Sequence, residues 1–427
     1  MASPAQKRAN VVVSRLIPPV LLGAVIYASY AVTKPLCIDY LIHPLSSYNK
    51  TPRVGAGAAI IAIYYVLLFP MVVSYTHLYY QVLWNPGYLP LGEQKVADDE
   101  NAKQSKRRRG KKSTCKSDPE KTDQADTDVE RGSVSTAVDT AVQLGIGLES
   151  FYTKDVFVCQ ADGRPPWCTT CSQYKTDRAH HCCELGRVGG VVSETSFKFF
   201  IQFVAYTSIF CAFVLIVCAY FTAEIRRQTG GVNPHWCVCI GLSSFFAFFA
   251  AGMTLSSVQM AIFNITTIEN LNRRTAVWTL AIRVPEHLLE RLWVVESPWA
   301  PTFRMVSYPL PAPTSSTKPQ TTNLSPDEDR HVFAIIQTLP GENPFDLGSP
   351  LKNLQQVMGY NVFDWLLPIK KSPCADHNSM ESHFALGPVV TRLRLEAGLI
   401  PPLENGAAVP QSSHSGRSHR EKSPSYE

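Results

Sequence analysis

Four side chains that bind soft metal ions fall within fifteen positions, in the stretch Cys168-Thr-Thr-Cys171-Ser-Gln-Tyr-Lys-Thr-Asp-Arg-Ala-His-His181-Cys182. Thiolate and imidazole are preferred donors of zinc, and a Cys-x2-Cys knuckle followed at a short distance by His-Cys is a zinc spacing. Cys168, Cys171, His181 and Cys182 are therefore the expected ligands of a structural zinc ion, with Cys183 as a spare donor. Buried cysteines beside a surface histidine are the plainer account, and the tight clustering argues against it.

Elements that must position this stretch stand on both sides of it. Leu16 to Thr33, Val54 to Tyr80, Phe199 to Ala223 and Trp236 to Phe263 are apolar runs without Asp, Glu, Lys or Arg. Each is near or above the ~17 residues a spanning helix needs. The first resembles a signal peptide in length, but no small-residue cleavage site follows and three more runs favour an anchor. The expected fold class is membrane α-helical, with four transmembrane helices and a cytosolic cysteine-rich zinc segment between helices two and three.

Composition agrees. Of 427 residues 45% are apolar and 18% charged, with the apolar ones gathered in blocks. A formal charge of +5 without a basic, aromatic-interleaved face does not suggest a nucleic-acid binder, and no nucleic-acid partner is expected. The twelve cysteines are scattered rather than set in a secreted disulfide framework. Lys106 to Arg109 with Lys111 and Lys112 lie between runs two and three, against only Arg226 and Arg227 between runs three and four. Basic residues stay on the cytoplasmic side, so both termini and the cysteine-rich segment are expected in the cytosol. The sequon Asn49-Lys50-Thr51 then falls on the opposite side, too near run two to be used.

Glu93 to Arg131 is charged and poor in large apolar residues, which predicts a disordered insert; its basic core either touches anionic headgroups or is simply solvated. Tyr308 to Asp329 reads as a Pro/Ser/Thr linker, Gly406 to Glu427 as a polar tail, and Asn343 to Pro368 as an ordered piece.

In this order of elements, three outlying motifs carry a family resemblance. Asn85-Pro86-Gly87 follows run two, Thr266-Thr267-Ile268-Glu269 follows run four, and Asn343-Pro344-x-Asp346-x-Gly348 lies beyond with Asn353 and Gly359. With the cysteine-rich segment, the arrangement from Leu16 to Pro368 resembles the DHHC-type protein S-acyltransferases, the palmitoyltransferases, and among them the fungal Pfa group. The division that follows is 1–90, helices one and two with the Asn-Pro-Gly motif; 91–150, the insert; 151–198, the cysteine-rich segment; 199–269, helices three and four with the Thr-Thr-x-Glu motif; 270–368, a cytosolic tail with the C-terminal motif; and 369–427, a disordered tail.

The family's own signature is missing. Its pattern continues past His-Cys to Asp-His-His-Cys-Pro-Trp, whereas only Cys183 to Arg187 separate Cys182 from Val188 here, so about eleven residues of the pattern are absent. The resemblance implies that a cysteine thiolate takes a fatty acyl group from palmitoyl-CoA. It then passes the group to cytosolic cysteines of membrane-associated proteins, while two zinc ions hold the loop. By position Cys168, Cys171 and His181 match the first zinc and Cys182 the second, and no residue matches the catalytic aspartate, histidine or cysteine. Ala179-His180-His181-Cys182 imitates the signature, which leaves Cys182 as a nucleophile candidate, although a ligated thiolate is a poor one. Either an exon boundary is drawn wrongly and the natural protein is an ordinary acyltransferase, or the chain has lost transfer and remains an acyl-CoA binder or scaffold. A zinc-bearing transporter or ligase fits less well, since no charge lies inside the runs and the donors are too few for a RING.

Overall fold

The computed structural model describes residues 4–45, 51–84, 89, 92, 94–98, 101, 147–182, 186–190, 192–292, 303–308, 331–375 and 384–400. Asn85–Gly87, Cys183, Asn49, most of the insert and nearly all of the expected linker lie outside them. Among the described residues four helices are long and apolar enough to cross a bilayer, as the sequence predicts.

Helix α1 (Pro4–Ala31) continues as π-helical turns over Val32–Ile42, and its spanning part is Pro18–Ile42. The first span therefore runs past Lys34, where the uncharged run predicted its end. A charge limits burial in lipid but does not break a helix, and Val32, Leu36, Cys37, Tyr40 and Leu41 of this extension are buried against the other helices. Helix α2 covers Val54–Trp84.

The cysteine-rich segment follows. It holds a short helix α3 (Glu149–Tyr152), a strand β1 (Val156–Val158) and two minimal hairpins. One hairpin pairs β2 (Trp167–Cys168) with β3 (Gln173–Tyr174), the other β4 (His181–Cys182) with β5 (Arg187–Val188). Helix α4 (Phe197–Thr229) ends at Gly230, whose φ of 70° suits a residue without a Cβ. Helix α5 (Pro234–Phe263) starts with Pro234 in its first turn and with the Asn233 side chain accepting from the His235 N–H. At the bundle end away from the cysteines, Arg53 pairs with Glu224 at 2.6 Å, its guanidinium facing the Tyr40 and Phe221 rings.

Beyond α5 come α6 (Thr267–Leu271), β6 (Thr279–Arg283), α7 (Glu286–Leu292), β7 (Arg304–Tyr308), β8 (His331–Gln337), α8 (Pro350–Met358), α9 (Val362–Leu366) and α10 (Pro388–Glu396). The strands form an antiparallel sheet in the order β1-β6-β8-β7, with Val156 opposite Ile282, Thr279 opposite Gln337 and Tyr308 opposite His331. Alternation sorts the two faces. Val156, Val158, Leu280, Ile282 and Ala334 pack on Leu288, Phe345, Val390 and Leu393, while Phe157, Ala281, Tyr308 and Phe333 pack on Leu148, Phe151 and Tyr174. Each such Leu, Ile, Val or Phe contributes roughly 1.5–3 kcal/mol by leaving water.

Two expectations are corrected here. The tail beyond residue 369 is not wholly disordered, because Val390, Leu393 and Leu399 give α10 and its end a buried apolar side. Order in the 270–368 tail also extends well beyond Asn343 to Pro368, because β6, β7 and β8 complete the sheet begun by β1.

Candidate functional site

The two hairpins bring Cys168, Cys171 and His181 together. His181 Nδ1 lies 3.5 Å from Cys168 Sγ and 3.3 Å from Cys171 Sγ, and all three donor atoms fall within 4.8 Å of one another. Tetrahedral coordination with metal–sulfur about 2.3 Å and metal–nitrogen about 2.0 Å sets adjacent donors about 3.5 Å apart, so the spacing suits a metal ion. Burial, and then the neighbouring Cys168 thiol, push the Cys171 thiol up to about 11. A cation between the sulfurs would reverse that and hold them as thiolates.

Cys182 is not a member of this cluster. It follows His181 on β4, and successive strand side chains point to opposite faces. Where the family pattern would run on, the chain closes into the β4–β5 hairpin, with His181 opposite Val188 and Gly186 donating to the Cys182 carbonyl at 2.8 Å.

The chain after α2 clamps the cluster. Leu89 N–H donates to the Val188 carbonyl at 2.9 Å and Gly92 N–H to the Cys171 carbonyl at 2.8 Å. A Cβ on Gly92 would lie 1.8 Å from the Ser172 carbonyl oxygen, so only glycine fits this approach.

The Thr-Thr-x-Glu motif is a capping box at the start of α6: Thr266 Oγ1 accepts from the Glu269 N–H, and Glu269 Oε2 accepts from the Thr266 N–H. Glu269 also reaches a residue that sequence reasoning missed. Arg178 donates from Nε and Nη2 to the two Glu269 oxygens at 3.0 and 2.6 Å, from Nη1 to Asn264 Oδ1, and from Nη2 to the Asn264 carbonyl, both at 2.9 Å. The guanidinium lies against both the Phe345 and Phe384 rings, and both side chains of the ion pair are more than 90% buried. The available signal was an acidic motif residue at a membrane boundary, which calls for a cation.

The C-terminal motif caps α5. The last carbonyls of a helix have no partner within it. Asn353 Nδ2 donates to Ile262 O at 2.9 Å, and Asn343 Nδ2 donates to Phe263 O and Asn264 O at 3.3 and 3.0 Å. Asn264, at φ 47°, donates back to the Phe345 carbonyl and to Gln356 Oε1. Asp346 receives Gly348 N–H and Asn353 Nδ2, which closes the motif on itself. Three distant stretches thus meet at one end of the bundle.

Between α1, α2, α4 and α5 lies a partly open apolar cavity of about 430 Å³, with Leu21, Met71, Phe203, Phe210, Leu242 and Phe246 among its walls. Phe203 and Thr76 each stand about two turns from the cysteine-bearing ends of their helices.

No family model matches the chain. Curated proteins do. The chain is 57% identical over 437 residues to palmitoyltransferase pfa5 of Aspergillus fumigatus, covering 98% of this chain and 97% of that protein. It is 49% identical to palmitoyltransferase pfa5 of Emericella nidulans, over 93% and 88% of the two chains. Palmitoyltransferase ZDHHC15 of Rattus norvegicus is 25% identical over 52% of each. With two near full-length relatives of that name and four spans flanking the cysteine-rich segment as the sequence predicts, the chain belongs to the palmitoyltransferases, the DHHC-type protein S-acyltransferases.

Proposed function

We propose that this chain is the frame of an enzyme that moves a fatty acyl group from acyl-CoA, palmitoyl-CoA above all, to cytosolic cysteines of membrane-associated proteins. The observation that carries the reading is the apolar cavity walled by all four spans, whose size falls in the range of about 300–1,000 Å³ of small-molecule sites and whose walls suit an alkyl chain. A zinc ion on Cys168, Cys171 and His181 keeps the cysteine-rich segment folded. Both termini and that segment face the cytosol, a reading supported by the basic residues at Lys106 to Lys112.

Transfer needs a free thiolate at the cavity mouth. It attacks the thioester carbonyl, the CoA thiol leaves with a proton, and a substrate thiolate then takes the acyl group from the enzyme thioester. This chain lacks the Asp-His-His-Cys run that would supply that thiolate, so we assign it the binding frame without the nucleophile. If the loss is real, the chain is an inactive acyl-CoA binder or scaffold.

Incubation with labelled palmitoyl-CoA separates these readings. The chain as it stands is expected to take up no hydroxylamine-sensitive label. A version with about eleven residues restored between Cys182 and Val188, on the family spacing, is expected to be labelled and to lose label when its new signature cysteine is changed to Ser. Labelling of the unrestored chain that Cys182→Ser abolishes would make Cys182 the nucleophile. Acyl-CoA binding without labelling in either version would replace the enzyme by the binder.

A further inference from the structure

Residues 360–369 of the C-terminal motif carry large apolar side chains that no described residue covers: Tyr360, Val362, Phe363, Leu366, Leu367 and Ile369, with Phe363 74% and Ile369 67% exposed. They would be unfavourable in water as a contiguous group. Their depth identifies what covers them. Gln202 Nε2 donates to the carbonyls of Asp364 and Trp365 at 3.2 and 2.9 Å, and the Tyr206 hydroxyl donates to the Leu366 carbonyl. Gln202 and Tyr206 lie inside the uncharged run Phe199 to Ala223 of α4, about 7 and 13 Å along the helix from Phe197 at 1.5 Å per residue.

Carbonyls at the end of a one-turn helix are ordinarily met by water. Here side chains of a membrane span meet them, the arrangement needed where water is scarce. The Trp365 indole donates to the Gly359 carbonyl at 2.7 Å, and the segment ends in Lys370 and Lys371, both exposed. An aromatic and lysines at the edge of an apolar surface mark the headgroup boundary. Lys370 is also tied back to Asp364 at 3.1 Å.

We propose that α9 and its flanking turns are embedded in the leaflet on the cysteine-bearing side, with lipid acyl chains as the occupant of the exposed apolar face. Gln202 and Tyr206 hold this segment against the apolar run of α4, so the C-terminal motif re-enters the membrane it follows. This wedge is independent of whether the chain transfers acyl groups.

The test is photocrosslinking of the full chain in vesicles of phosphatidylcholine and phosphatidylserine. Benzoylphenylalanine replaces Phe363, or Leu366 should the first variant not fold, with Glu396 of α10 as the water-facing control. Adducts of lipid mass are expected at 363 and 366, severalfold above 396. Equal low yields at all three sites, or adducts to a second copy of the chain, would overturn the proposal, the latter making the face a protein interface.

Discussion

Removing the Arg178 guanidinium would leave Glu269 buried with its charge unmatched and would strip Asn264 of two donors. Breaking a buried pair from one side costs about 3–5 kcal/mol, so Arg178→Ala should lower the melting temperature in detergent markedly. Arg178→Lys keeps the charge but not the fork and should fall between; a melting temperature for Arg178→Ala equal to the parent's would show the pair to be idle. Glu194 makes a second case. Burial pushes its carboxyl from 4.5 up to about 7, against the pull of Arg178 and Lys154. The folded chain thus holds that proton more tightly than the unfolded one, and the associated stability is present below about 4.5 and lost as pH rises to about 7. Glu194→Gln should therefore raise the melting temperature at pH 8 and change it little at pH 4; the reverse order would refute the assignment. Metal analysis of the purified chain should find at most one zinc, falling towards none in Cys168→Ser, and a ratio near two would mean that other donors take part. The three clustered donors were legible because a knuckle has a spacing. Arg178 was not, because one cation has none.

At the scale of elements, capping and burial together join the C-terminal motif to the spans, with Val357 and Met358 of α8 packed on Ile201 of α4 and Ala261 of α5. Asn353→Leu keeps the branched shape but leaves Ile262 O and the Leu347 N–H without these partners and takes one of two donors from Asp346 Oδ1, at about 1–3 kcal/mol for each group left buried and unpaired. The variant should release the stretch after residue 343 to limited proteolysis at protease levels the parent resists. The spans were readable to within a few residues at most ends because lipid demands long uninterrupted apolar runs. The sheet was not readable, since β1 pairs with β6 more than a hundred residues away and its strands have three to seven residues. Strands that short, paired across such separations, leave no periodicity in a local window. The capping box was visible as a motif, but its target was not, since a sequence shows the box and not the guanidinium that fills it.

For the whole molecule, the proposed orientation rests on the basic residues near Lys106, and on that proposal protease added to sealed microsomes should remove the end of the chain beyond residue 400. Protection of that end would reverse the topology. The clamp after α2 has a separate consequence. Gly92 is hydrogen-bonded to the cysteine knuckle, and Gly147, where the described chain resumes, stands beside the Tyr174 ring next to that knuckle, where an added Cβ would lie 3.8 Å from the ring. Both ends of the long insert are therefore held beside one small body. Doubling such a loop costs only about 0.6 kcal/mol. The molecule has in effect a built-in splice port, where a fluorescent protein or an affinity handle can be carried without altering the register of the spans or the cluster beneath them.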